Sequence, residues 1–174
     1  PEQPAPRAHA PPSAGSSRDS PARSPPTPDG GISTTCRPYP PSVDFADAVA
    51  IAARVYGADR DRSGVLFLAH GINVVQELGR AATSTAMNAA VLHDVIEETE
   101  WTIDDLARWG VDPVVCEAVK VLTRQTGETY TDYVRRICDA PGVAGDTARL
   151  VKVAALTVSA DRADSDALRE RYEQ

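Results

Sequence analysis

The segment from Asn88 to Thr99 constrains the fold of this chain most, because it joins an apolar stripe to a His and several acidic residues. At helical spacing three apolar side chains fall on one face, and these are Ala89, Leu92 and Ile96. An apolar stripe of this kind packs against a core. The segment therefore predicts a helix with one buried face and a polar face beside it.

The polar face of this helix has the chemistry of a metal site. His93 and Asp94 offer two metal-binding atoms at one level of the helix, and Glu97 one turn later can hold or deprotonate a metal-bound water. Glu98 follows Asp94 at the same spacing. A polar helix end with a chance histidine is the alternative. Since a metal needs further ligands, we expect His70, beside the apolar stripe of its own helix, to be the third.

The chain from Ser42 onward has helical periodicity and capping signals, with no strand-like alternation between turns. Ser42, Ser84, Thr102, Asp112 and Ser165 are the predicted N-caps, and Gly57 and Gly110 the predicted stops. The predicted helices cover 43–56, 65–78, 84–99, 102–110, 112–122, 130–139, 144–160 and 165–174. The fold class is therefore all-α, a bundle of about seven or eight helices.

Residues 1–41 differ from the rest in composition. They hold 12 of the 14 prolines, and Ser, Gly and Ala fill most of the other positions, so too little apolar surface is available to repay ordering. We expect a disordered Pro/Ser-rich tail at 1–41, with a docking or linker role as the alternative, and one helical domain at 42–174.

The charge of the chain limits its partners. The formal net charge is -7, and because the tail carries four arginines against three acidic residues, the helical domain is more acidic still. Such a domain repels nucleic acid and anionic membranes, but local arginines or a metal would still admit a small polyanion. The three cysteines lack disulfide or metal spacing, and no apolar signal or spanning run is present, which favours the cytoplasm. The sequence does not predict an oligomeric state.

Several motifs in order carry a family resemblance across nearly all of residues 43–174. They are His70; His93-Asp94-Val95-Ile96-Glu97-Glu98-Thr99; Trp109-Gly110; Leu122-Thr123; and Val151-Lys152-Val153-Ala154-Ala155. In this order they resemble the HD superfamily of metal-dependent phosphohydrolases. Within it, the chain looks most like the alarmone (ppGpp) hydrolase domain of Rel/SpoT-type enzymes and their small stand-alone relatives.

The resemblance implies an HD-domain helical bundle with a divalent metal, typically manganese, held by two His and two Asp. It assigns metal ligation to His70, His93 and Asp94, and water activation to Glu97 with Glu98. The implied reaction removes pyrophosphate from a nucleotide 3′ position, so the implied partner is a small phosphorylated nucleotide. The implied substrate contacts are Arg62 and Ser63, which match a basic Lys-Ser-Gly loop, and Ser159. As a phosphohydrolase the chain would also offer Arg162 to a phosphate group.

Four positions depart from the family pattern. Ala155 replaces the Asp that is the fourth metal ligand, and Ser159 replaces an Asn that faces the nucleotide. Glu98 replaces the Asp that ends the His-Asp-x-x-Glu-Asp motif, and Gly71 replaces a proline. A methyl group cannot coordinate, so water or a substrate oxygen completes a weaker site, or the metal is absent.

Two function classes follow from these departures. One is a metal-dependent phosphohydrolase, and the other is a degenerate domain that binds nucleotides or proteins without turnover. Changes introduced to trap a substrate, or recruitment to other chemistry, also remain open.

Overall fold

The structure, a computed structural model, describes the backbone of residues 43–61 and 63–172 and the side chains up to residue 163, Arg62 excepted. Within these residues the only extended pairing is an isolated bridge between Arg60 and Leu66. The eight helices are α1 Phe45–Tyr56, α2 Phe67–Leu78, α3 Ser84–Leu92, α4 Val95–Glu98, α5 Ile103–Arg108, α6 Pro113–Leu122, α7 Tyr130–Asp139 and α8 Gly142–Tyr172, with a 3-10 turn at Gly79–Ala81. The all-α prediction is confirmed, and the predicted tail lies outside the described residues.

Two of the predicted helix starts carry the expected caps. Thr102 and Asp105 form a capping box, in which the Asp105 carboxylate accepts the Thr102 backbone N–H at 2.9 Å. Asp112 caps α6, and Pro113 occupies its first turn. These side chains satisfy N–H groups that a helix cannot satisfy internally, so the local sequence alone determines where α5 and α6 begin.

Two other caps are displaced from their predicted positions. Asp44 rather than Ser42 caps α1, where its carboxylate accepts the Asp47 N–H at 2.9 Å. Thr83 rather than Ser84 caps α3 and accepts the Ala86 N–H at 3.1 Å. In each case an equally good acceptor lies within two residues of the predicted one, so the pattern identified the end of the helix but not its capping residue.

The two helices predicted at the C-terminus are a single helix, α8. Its backbone is helical through Ser165, which is therefore not an N-cap. No Gly or Pro occurs between Asp146 and Gln174, so nothing in the sequence breaks the helix there. Although α8 has 31 residues, neither it nor any other helix in the described part of the chain is long and apolar enough to span a membrane.

The helix α3 lies at the centre of the fold and packs against α1, α2, α6 and α8. Most of this helix is buried, and its buried residues are Ala86, Asn88, Ala89, Ala90, Val91 and Leu92. Because three of these are alanines, neighbouring helices can approach closely. A close approach occurs at Gly71 of α2, where an added Cβ would lie 3.2 Å from both Cα and the carbonyl oxygen of Val91.

The loop before α2 is bound to α8 by an ion pair between distant parts of the sequence. Arg162 Nη1 donates to Asp61 Oδ2 at 2.7 Å, across 101 residues. Asp61 Oδ1 accepts the Ser63 hydroxyl at 2.6 Å and the Val65 N–H at 3.0 Å. Burial raises the pKa of Asp61, but these hydrogen bonds together lower it to about 2. The folded state therefore favours the charged carboxylate.

We expect Gly71→Val to destabilise the protein, because its side chain meets the backbone of Val91 rather than a flexible side chain. The free energy of unfolding should fall by about 1–3 kcal/mol, as for other overpacked sites. Urea unfolding followed by circular dichroism measures the change. Asn73→Val, on the exposed side of the same helix, is the matched control and should cost less. Equal losses in the two variants would contradict the close approach.

We expect the Asp61 carboxylate to make stability depend on pH in the acid range. Its folded pKa of about 2 lies below the unfolded value, so its contribution is complete above about pH 4 and is lost as pH falls toward 2. Asp61→Asn should be less stable at neutral pH by about 1–2 kcal/mol, and this difference should shrink with acidification.

The difference in unfolding free energy between the wild type and Asp61→Asn isolates the contribution of Asp61. This comparison is needed because Glu128, paired with Arg136, also has a pKa lowered to about 2. Chemical unfolding at a series of pH values measures it. A difference that stays constant from pH 6 to pH 2 would contradict the role of Asp61.

Candidate metal centre

The predicted central helix is interrupted at His93 and Asp94, where α3 ends and α4 begins. His93 Nδ1 lies 2.7 Å from the Ala90 carbonyl oxygen, which in a continuous helix would accept the N–H of Asp94. The backbone of Asp94 hydrogen-bonds Tyr56, whose side chain is buried. The prediction of one continuous helix is therefore wrong at this point, because a hydrogen bond within the turn and one to the distant Tyr56 replace the helical one.

His93 and Asp94 lie against His70 of α2. Each of the three residues offers one ligand atom, and these atoms all lie within 4.8 Å of one another. His93 Nε2 lies 3.0 Å from Asp94 Oδ1, and His70 Nε2 lies 3.9 Å from Asp94 Oδ2. Both imidazoles are buried, and their ring centroids are 5.3 Å apart.

The arrangement of these atoms fits a cation. We assign the Nδ1 proton of His93 to the bond with Ala90, so its Nε2 lone pair faces a carboxylate oxygen 3.0 Å away. Two acceptors at this distance repel unless a proton or a metal ion lies between them. Two imidazole nitrogens and a carboxylate oxygen suit first-row divalent metals, and the Ala90 carbonyl orients the His93 ring as metal sites require.

The protonation of His70 also suits a ligand. Burial lowers the pKa of His70, and the nearby charges of His93 and Arg162 lower it further, while Asp94 opposes the shift. The neutral imidazole, which is the form that binds metals, is therefore favoured at pH 7. The three residues can hold a metal ion, and their assignment as ligands stays a prediction.

A cavity of about 200 Å³ opens over these three residues. Its lining consists of His70, His93, Asp94, Glu97, Leu122, Tyr133, Lys152, Ala155, Leu156 and Ser159. Ala155 and Ser159, which stand where the family has its fourth ligand and an Asn, both line it. Across the described residues no further His, Cys or acidic side chain joins the three-residue cluster.

The two glutamates predicted to activate water differ in position. Glu97 lines the cavity, and its Oε1 accepts the backbone N–H of Arg124 in a short hydrogen bond. Glu98 is not among the described residues of the cavity wall, and its charge acts on buried Tyr56. A more open cleft of about 700 Å³, lined chiefly by the loop 123–129, also reaches Glu97. Glu97 therefore borders both spaces.

The predicted substrate contacts fall into two groups. Ser159 lines the cavity, and its hydroxyl donates to the Ala155 carbonyl at 2.8 Å. Ser63 and Arg162 are not part of that lining and contact each other at 3.2 Å beside Asp61. Arg162 Nη2 also lies 3.5 Å from His70 Nδ1. Arg62 lies outside the described residues.

Two residues of this site received no role from sequence reasoning. Tyr56 ends α1, and its polar tip on an otherwise apolar helix face was the available signal. Lys152 lies three residues before Ala155 on α8, so helical spacing places it on the same face as the missing ligand. Its ammonium lies 4.8 Å from the centre of the Tyr133 ring.

Comparisons with known proteins agree with the fold. No protein-family model matches the chain, and no curated protein matches it in sequence. Among solved structures, the chain is similar to a metazoan ortholog of SpoT that hydrolyzes ppGpp and plays a role in starvation responses. The TM-score is 0.54 and the sequence identity 25%, over 70% of each chain. The resemblance to an HD-type ppGpp hydrolase domain, inferred from the sequence motifs, is thus confirmed by a structural match.

Proposed function

We propose that this protein is a metal-dependent phosphohydrolase that acts on a phosphorylated nucleotide or a related phosphoester. The observation that carries the proposal is the convergence of His70 of α2 with His93 and Asp94, at the junction of α3 and α4, on one small cavity. The structural similarity to a SpoT ortholog that hydrolyzes ppGpp supports a nucleotide 3′-pyrophosphate as the substrate class. The acidic charge of the chain argues for such a small substrate over nucleic acid or a membrane surface, and the reduced cysteines argue for the cytoplasm.

In this proposal His70, His93 and Asp94 hold a divalent ion, for which we favour manganese. A divalent ion would supply Lewis-acid chemistry at a phosphoryl group. Glu97 takes the proton of the attacking water at Oε2, because its Oε1 already accepts the Arg124 N–H. Glu98 supports Glu97 from outside the cavity wall.

The remaining predicted contacts have separate roles. Ser159 meets the substrate inside the cavity, as its position in the lining allows. Ser63 and Arg162 act at the edge of the site beside His70, and Arg62 acts from the same loop. Since the Arg162 guanidinium already pairs with Asp61, we expect it to contribute less to substrate affinity than an unpaired arginine would.

The second candidate is a degenerate domain that kept the bundle and lost turnover. The observation that favours it is that Ala155 and Ser159 line the same cavity. Loss of a single function would explain why both the Asp and the Asn of the HD pattern are missing from that one surface. The nucleotide-binding cavity would then persist without the metal chemistry.

Asp94→Asn tests the metal-dependent reaction. Protein prepared with excess metal should hold close to one equivalent of manganese, zinc or iron and release pyrophosphate or phosphate from ppGpp-like substrates. The variant should bind metal at least about tenfold more weakly, since it loses a charged ligand, and should not release product. Calorimetric metal titration and product analysis measure these effects.

The control for this test is Asp104→Asn, which makes the same change at an exposed position of α5. It should leave metal affinity and turnover unchanged. A wild-type protein without near-stoichiometric metal would refute the hydrolase proposal.

Ala155→Asp tests which candidate holds. A carboxylate at this cavity position should raise metal affinity by about 10–100-fold. Val153→Asp adds the same charge to α8 at a position that is 64% exposed, and it should have little effect. Turnover in the wild type that Asp94→Asn abolishes would establish the hydrolase, whereas turnover that appears only in Ala155→Asp would establish a disabled one.

A further inference from the structure

Lys152 is a cationic side chain in the cavity, and the proposed metal chemistry assigns it no role. It extends from α8 into the space lined by His70, His93 and Asp94. Its ammonium lies 4.8 Å from the centre of the Tyr133 ring, a cation–π contact. Within the described part of the chain, no carboxylate lies close enough to form an ion pair with it. A half-buried ammonium with only an aromatic partner has unused hydrogen-bonding capacity.

The partly desolvated ammonium of Lys152 favours a hydrogen-bonding partner. Burial lowers the pKa of Lys152, while the charges of Glu97 and Asp94 oppose that shift without contacting the ammonium. Desolvating an ammonium is costly unless a partner replaces its water. An oxyanion between Lys152 and the cluster would supply that partner through charge-assisted hydrogen bonds.

Ala155 leaves room for this anion. It lies three residues after Lys152, so the two side chains are neighbours on one face of α8, and both line the cavity. A carboxylate at this position would pair with the ammonium. The methyl group leaves both the space and the positive charge available.

We propose that Lys152 binds a phosphoryl oxyanion of the ligand in this cavity, in the space beside Ala155. The inference rests on the proposed function and deepens it by naming the residue that holds the phosphoryl group. It also explains why the missing carboxylate suits a phosphorylated ligand. The anion occupies the space that an aspartate side chain at position 155 would fill, and it balances the charge of Lys152 as that carboxylate would.

Titration of the full-length chain with inorganic phosphate tests this proposal, by calorimetry and by ³¹P NMR line broadening, with and without manganese. Lys152→Met keeps the length and removes the charge, and it should weaken phosphate binding roughly tenfold or more. Lys152→Arg should retain binding. Lys120→Met removes the same charge from an exposed lysine of α6 and should bind like the wild type.

Ala155→Asp separates this inference from the proposed function. In metal-free protein it should weaken phosphate binding, because the new carboxylate pairs with Lys152, even while it strengthens metal binding. Saturable phosphate binding that is equal in the wild type and Lys152→Met, or its absence in the wild type, would overturn the role of Lys152. Failure to bind metal would overturn the hydrolase proposal alone, since the metal-free phosphate titration does not depend on it. Lys152→Arg serves as the folded comparison if Lys152→Met does not fold.

Discussion

The hydrogen bond from His93 Nδ1 to the Ala90 carbonyl is the interaction on which the candidate site depends. It engages the carbonyl that would accept the Asp94 N–H in a continuous helix, at the point where α3 ends. The backbone of Asp94 hydrogen-bonds Tyr56. His93 and Asp94 keep right-handed helical backbone angles, and their ligand atoms lie 3.0 Å apart. The same bond orients the imidazole, so one contact both shapes the backbone and prepares the ligand.

Close packing brings the other ligand to this point. His70 lies on α2, and its neighbour Gly71 allows α2 to approach the backbone of Val91 on α3. Gly71 stands where the HD pattern has a proline, and it has the smallest side chain. The Asp61–Arg162 ion pair then holds the preceding loop to α8 beside His70. Packing and charge therefore act together to keep the two imidazoles about 5 Å apart.

Local signals predicted most of the fold. The capping box at Thr102, the Asp112-Pro113 start of α6 and the limits of α7 follow from side chains within one turn of each helix end, which a sequence reader can see. The interruption at His93 could not be predicted in this way, because its second hydrogen bond comes from Tyr56, 38 positions earlier in the chain. The continuity of α8 was not predicted, because Ser165 is a typical N-cap residue. The absence of Gly and Pro on both sides of it is the signal that favours one unbroken helix.

The site was predictable to the same extent. Motif order brought His70, His93, Asp94 and Glu97 to notice, and these four do line one cavity. Lys152 was visible in the same motifs but received no role, since its importance arises only when Ala155 leaves its charge without a partner. The engagement of Arg162 with Asp61 depends on residues a hundred positions apart, which spacing does not reveal.

The central claim is that two imidazoles and one carboxylate share a single cation. Electron spin-echo spectroscopy of the manganese-loaded protein tests it most directly, because each coordinated imidazole nitrogen produces its own modulation. The account predicts two coupled nitrogens in the wild type, one in His70→Ala and one in His93→Ala. Bound manganese with no coupled nitrogen, or with couplings unchanged in both variants, would contradict it.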